Sequence, residues 1–164
     1  MVQSVYQPTL LLEPEQPLLP GICVAHEDPA GAKELIGAWK RCKAFGFDIE
    51  TYGLSDDAPL DPWLGRIRLI QVGLPDGRSL IADLGGWDDD REALNDVLSG
   101  LGFWETLKER LFCRNTFTVG HNLKFDLGWV FKLYGYRANK CADTMILSQI
   151  YWAGIQPYRH SLKD

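Results

Sequence analysis

Phe45-Gly46-Phe47-Asp48-Ile49-Glu50-Thr51 is the stretch that decides how the rest of the chain is read. Apolar residues lead into it, and on a β-strand successive side chains alternate faces, so Asp48 and Glu50 share one side. Two carboxylates then project together from one strand end. Like charges at that separation raise each other's pKa, and the pair is costly unless something positive lies between them. A divalent cation is the usual solution. Mg²⁺ or Mn²⁺ takes hard oxygen ligands and, held by carboxylates on a rigid strand, keeps positions open for phosphate and water. The competing reading of Asp-x-Glu alone is a solvated strand end, and the residues that follow decide between the two.

Outward from the strand, residues 52–65 form a polar loop with Gly53, Pro59 and Pro62 as breakers. Its acids Asp56, Asp57 and Asp61 read as solvated groups on a loop rather than ligands. Residues 66–74 and 79–84 read as strands around a Pro75-Asp76-Gly77 turn, which with residues 45–51 makes a three-stranded antiparallel meander. Upstream, residues 22–25 form a short strand, and Asp28-Pro29 starts a helix, with Asp as cap and Pro in the first turn. That helix runs to about residue 43, with Leu35, Ile36 and Trp39 on its buried face and Trp39 as a core anchor. Residues 1–20 carry Pro8, Pro14, Pro17 and Pro20 among leucines, an extended arm over the surface.

Downstream, Asp88, Asp89 and Asp90 precede an apolar-periodic stretch and read as helix-start charges favoured by the macrodipole. This helix breaks at Gly100 and Gly102 and resumes over residues 104–112. Residues 116–120 are a buried strand, and His121-Asn122-Leu123-Lys124-Phe125-Asp126 opens a helix that continues to about Tyr134. Asn122 and Asp126, four apart, fall on one face near its positive N-terminal end. If that end abuts the first acidic strand, Asp126 joins Asp48 and Glu50 in one cluster. A last short strand covers residues 140–142, Asp143 caps a helix to about Ala153, and residues 159–164 begin another. The expected fold is α/β, a mixed sheet of five to six strands flanked by helices.

Composition narrows the function. With 164 residues, 46% hydrophobic and 24% charged, the chain reads as one globular domain over residues 21–164. It has no apolar run of membrane-span length and no signal-peptide pattern after Met1, so a cytoplasmic protein without membrane partners is expected. Cys23, Cys42, Cys113 and Cys141 are widely spaced and read as buried free thiols. A formal charge of -5 argues against a nonspecific, highly basic nucleic-acid binder. It leaves room for an enzyme that grips phosphate through bound metal.

Several of these segments together resemble the 3′-5′ exonuclease domains of the DEDD superfamily, as found in the proofreading domain of bacterial DNA polymerase I and in ribonuclease D. The residues that carry the resemblance are Phe47-Asp-Ile-Glu-Thr51, Arg66-Ile-Arg-Leu-Ile-Gln-Val72, Gly120-His-Asn-Leu-Lys-Phe-Asp126, Asp143-Thr-Met145 and His160-Ser-Leu-Lys163, in the family's order. The resemblance implies a ribonuclease H-like fold and hydrolysis of the terminal phosphodiester at a 3′ end of single-stranded DNA or RNA, DNA favoured, with two divalent ions. It assigns Asp48, Glu50 and Asp126 as metal ligands, Asp48 bridging both ions. It also places Thr51 near the 3′ hydroxyl, Leu54 against the terminal base, and Asn122 in support of the site. Aromatics stacked on unpaired bases favour single strands, and Tyr52 and Phe125 are candidates, with packing as the alternative role.

The family also has a fourth carboxylate, in a third motif that pairs Tyr or His with Asp. In the relatives it falls after the segment matching His160-Ser-Leu-Lys163, so the domain is expected to lack it. His160 and Asp164 have the spacing of a substitute, although their segment aligns better with the stretch before that motif. Asp143 is the other candidate, and its place before Thr144 reads as a helix cap. Two functions follow. One is an exonuclease whose site is completed by a C-terminal extension or a second chain; the other is an inactive module that binds nucleic acid or a partner protein.

Overall fold

Among the described residues, 21–53, 55, 58–85 and 91–153 of the computed structural model, six strands form one mixed sheet in the order β1-β4-β3-β2-β5-β6. The strands are β1 (Ile22–Val24), β2 (Ala44–Tyr52), β3 (Arg66–Gly73), β4 (Ser79–Asp83), β5 (Phe117–Gly120) and β6 (Cys141–Asp143). The expected meander is present: β3 runs antiparallel to both β2 and β4. The outer pairs, β1 with β4, β5 with β2 and β6 with β5, are parallel. The helices are α1 (Pro29–Arg41), α2 (Arg91–Gly100), α3 (Phe103–Phe112), α4 (Leu123–Tyr134) and α5 (Thr144–Tyr151). The proline-rich arm, the Asp88–Asp90 run, Leu54, Asp56, Asp57, His160 and Asp164 lie outside the described residues.

Alternation along β2 separates core from site. Phe45, Phe47 and Ile49 are buried on one face, while Asp48 and Glu50 are exposed on the other. On β3 the buried residues are Ile67, Ile70 and Val72, and the three-residue step between Ile67 and Ile70 departs from strict alternation. A β-bulge accounts for it: Glu50 faces Leu69 and Thr51 faces Ile67, which leaves Arg68 as the extra residue. Arg68 turns to Asp83, with Nε to Oδ1 at 3.0 Å and the second fork nitrogen to Oδ2 at 3.1 Å.

Helix α1 begins as its sequence signals require, with the Asp28 carboxylate accepting from the Gly31 N–H at 2.9 Å. Its buried face is Ala32, Leu35, Ile36 and Trp39. Trp39 stands edge-on to Phe45, with ring centroids 5.4 Å apart, and also meets Phe103 of α3, so it is the core anchor expected. Arg110, nearly buried on α3, donates to the carbonyls of Lys40 and Cys42 and, at 2.6 Å, to Thr116 Oγ1. One cation thus satisfies the carbonyl end of α1 and fixes the approach to β5, where the helix dipole favours positive charge.

All four cysteines are free, but only Cys23 is buried and Cys141 is exposed, which corrects the expectation of buried thiols. Sulfur chemistry imposes no burial by itself, and Cys141 lies on the outermost strand of the sheet. Among the described residues no helix is long and apolar enough to cross a membrane.

Candidate active site

The site forms where β5 leaves the edge of β2. Pairing between these strands covers Ala44 to Gly46 only, so the backbone of β2 beyond that point lacks a strand neighbour on this side. Helix α4 takes the place of the strand. Its buried residues are Leu123, Asp126, Trp129 and Val130, and the one carboxylate in this otherwise apolar face accepts the N–H of Ile49 at 2.9 Å. Asp126 is only 3% exposed. Its hydrogen bond goes to the backbone of the residue between Asp48 and Glu50, which brings the helix acid up to the acidic strand.

Close backbone approach makes this possible. A Cβ on Gly120 would stand 2.7 Å from the carbonyl oxygen of Phe47 and 2.5 Å from Leu123 Cδ2, so only glycine lets the β5–α4 turn lie against β2. Asn122 follows in the left-handed conformation, φ 58°, which Asn tolerates better than most residues. Asn122 is therefore the residue before the helix and not part of it, a correction to the shared helical face with Asp126. Its carbonyl accepts from Phe125 N at 2.9 Å.

Asp143 fastens this turn from the next strand. Its two carboxylate oxygens accept from Asn122 N at 3.0 Å and Leu123 N at 2.8 Å, and Oδ1 also accepts from Met145 N at 2.9 Å. One carboxylate caps α4 and α5 together, the capping role expected of it extended to a second helix.

Electrostatics follow from this geometry. The Asp126 carboxyl is pushed up to about 6, chiefly by burial and further by the nearby charges of Asp48 and Asp143, against the stabilising N–H of Ile49. Burial also raises Asp48, whose Oδ2 accepts from Gln71 Nε2 at 3.2 Å across the β2–β3 pair. These hard carboxylate oxygens fit a divalent cation in kind, and an uncomfortable buried carboxyl beside a second carboxylate is relieved by one. Among the described residues no three His, Cys, Asp or Glu side chains already stand together as a metal-holding group. Glu50 is exposed on the strand face, and of the two strand acids only the charge of Asp48 bears on Asp126, so the expected cluster of three is not assembled. The helix acid is held to the backbone of Ile49 rather than among the strand carboxylates, which is the physical reason.

The other predicted residues are placed as follows. Thr51 Oγ1 donates to the Pro59 carbonyl at 2.6 Å, which pins the loop after β2. Tyr52 receives a hydrogen bond from Arg91 at 3.1 Å, and Phe125 packs against the core with its ring 6.2 Å from that of Trp129. Asp61, read from sequence as solvated, accepts from Trp63 N at 2.8 Å and closes a turn. Sequence reasoning passed over Gln71 and Gly120. Gln71 lies within a recognised segment opposite Asp48, and the strand alternation that set Asp48 outward carried the signal for it. An open groove of about 420 Å³ beside Asp48 is lined in part by Gln71, Gly120, His121 and Thr144.

Carboxylates on a central strand and an adjoining helix of a mixed sheet define the class, an α/β domain of the ribonuclease H-like kind. The family model for 3′-5′ exonuclease matches residues 23–164, and the chain belongs to that family. No curated protein matches the sequence. Among solved structures, Brucella melitensis NrnC with bound Mg²⁺ is similar at 21% identity and TM-score 0.56, over 76% of this chain and 51% of that one. Trypanosoma brucei RNase D in complex with RNA U12 is similar at 19% identity and TM-score 0.58, over 80% of this chain and 40% of that one. Escherichia coli RNase D, an exoribonuclease involved in structured RNA processing, gives 18% and 0.52, over 78% and 28%. The chain spans about half or less of the length of each.

Proposed function

We propose that this chain is the catalytic core of a 3′-5′ exonuclease that removes nucleotides from single-stranded 3′ ends. The observation that carries this reading is the Asp126 to Ile49 hydrogen bond, which sets the helix acid beside the strand acids in a chain of exonuclease family. In this reading Asp48, Glu50 and Asp126 would hold two divalent ions, Mg²⁺ or Mn²⁺, through their carboxylate oxygens. Bound ions would supply a water acidic enough to be hydroxide near neutral pH and a clamp on the attacking and leaving oxygens. The chain's own part is positioning. Asp126 is held by a backbone N–H and Asp48 by Gln71, so neither has to search for its geometry. Thr51, Leu54 and Asn122 are assigned to the terminal nucleotide.

For the substrate, the neighbour in complex with RNA U12 favours RNA over the DNA expected from sequence. The family's fourth carboxylate is assigned to a C-terminal extension or a second chain. Helix α5, next to the site, supports this: it has no buried residue, and Ile146, Leu147, Ile150 and Tyr151 are exposed.

The test uses 5′-labelled RNA and DNA strands of one sequence, with Mg²⁺ or Mn²⁺ and a chelator control, for the chain alone and in any longer or mixed assembly. Metal-dependent shortening from the 3′ end, abolished by Asp48→Ala, is expected, faster on RNA. Strand binding without cleavage in every assembly would instead make this a binding module.

A further inference from the structure

The loop between β2 and β3 presents an indole to solvent at a place where packing does not require one. Trp63 is 76% exposed, with Leu60 and Leu64 exposed beside it. Its position is nonetheless built. The Asp61 carboxylate accepts from Trp63 N, and the Asp61 carbonyl accepts from Leu64 N at 3.1 Å and Gly65 N at 2.8 Å, which closes a tight turn that fixes the Trp63 backbone. Lys132 Nζ lies over the ring, a cation–π contact. One face of the indole is thereby backed by a cation, and the high exposure leaves the other open.

The loop is tied at two points, Pro59 and Trp63, to the elements that carry the acids. Thr51, directly after Glu50 on β2, holds Pro59. Lys132 follows Asp126 on α4 by six residues, roughly 9 Å along the helix. An exposed aromatic with an ammonium at its back matches the two needs of a single strand, a flat surface for a base and a positive charge for phosphate.

We propose that Trp63, backed by Lys132, is a stacking platform for a base of the single strand upstream of its 3′-terminal nucleotide. This rests on the exonuclease reading, to which it adds how a strand longer than the terminal step is held. Base–aromatic stacking tolerates any sequence, so the platform contributes length preference without base preference.

Binding is measured by anisotropy with 5′-fluorescein hexauridylate and diuridylate in Ca²⁺, a divalent ion that takes carboxylate oxygens in looser geometry than Mg²⁺, with strand length checked on a gel so that cleavage is accounted for. Trp63→Ala is expected to weaken hexanucleotide binding by roughly tenfold or more, leaving the dinucleotide unchanged. Trp63→Phe is expected to keep most of the affinity, and Lys132→Ala to lose part of it together with part of the salt dependence. Circular dichroism checks that the variants fold. Unchanged hexanucleotide binding by Trp63→Ala, or equal weakening of both oligonucleotides, overturns the platform alone. A wild-type chain that binds neither overturns the nucleic-acid reading and the platform with it.

Discussion

Asp126 accepts the backbone N–H of Ile49, a residue 77 positions earlier and flanked by the two strand acids. The bond occupies one carboxylate oxygen of a buried group whose charge is disfavoured by burial and further by the charge of Asp48.

That setting fixes a pH dependence. The folded chain holds the Asp126 proton up to about 6, above the ordinary carboxylate value, so the group contributes stability that is full below roughly pH 4 and lost as pH rises through about 6. Asp126→Asn keeps an acceptor for Ile49 and removes the charge. In chelator at pH 7 this variant is expected to be more stable than wild type by roughly 2 kcal/mol, with the difference gone near pH 4. Thermal melts across this range measure it, and parallel wild-type and variant profiles would show that Asp126 is not raised. The same variant is expected to lose cleavage, a stability gain at the cost of function.

Asp143→Ala removes one carboxylate from the N-terminal ends of two helices. The expected loss is about 2 kcal/mol, since each cap is worth about 1 kcal/mol. Hydrogen exchange should rise at Leu123 and Met145 together. A rise at Met145 alone would mean that the α4 contact carries no weight.

At Asn122 the backbone conformation and the side chain can be separated. Asn122→Gly relieves the positive φ and is expected to be at least as stable as wild type, whereas Asn122→Ala should lose about 1 kcal/mol. Urea denaturation gives the comparison, and equal stability of the two variants would remove the backbone argument.

Arg110→Ala strips a cation from two carbonyls and a hydroxyl in the interior. A loss of about 3 kcal/mol is expected because those acceptors are left without their donor. Arg110→Lys should recover only part of it, since an ammonium cannot reproduce the planar fork. Full recovery by lysine would reduce the role to charge.

Element order, the outward face of Asp48 and Glu50, and the Asp28 and Asp143 caps were legible in the sequence, because each follows from alternation or capping within a few residues. Helical periodicity likewise set Trp39 inward, whereas the place of Asp126 among the buried Leu123, Trp129 and Val130 of α4 emerged only with the structure. The bulge at Arg68 was not legible, because register depends on the partner strand and on the core positions of Ile67 and Ile70. Nor was the second helix that Asp143 caps, the closeness of Gly120 to Phe47, or the reach of Arg110 to the end of α1. These are contacts between segments distant in sequence, and a local pattern carries no record of which segments meet. The sequence by itself determined which residues are acidic, apolar or turn-forming and on which face each falls. Only the tertiary structure decided that β5 stops short along β2, opening the edge where α4 brings Asp126 to Ile49 and turns separate motifs into one site.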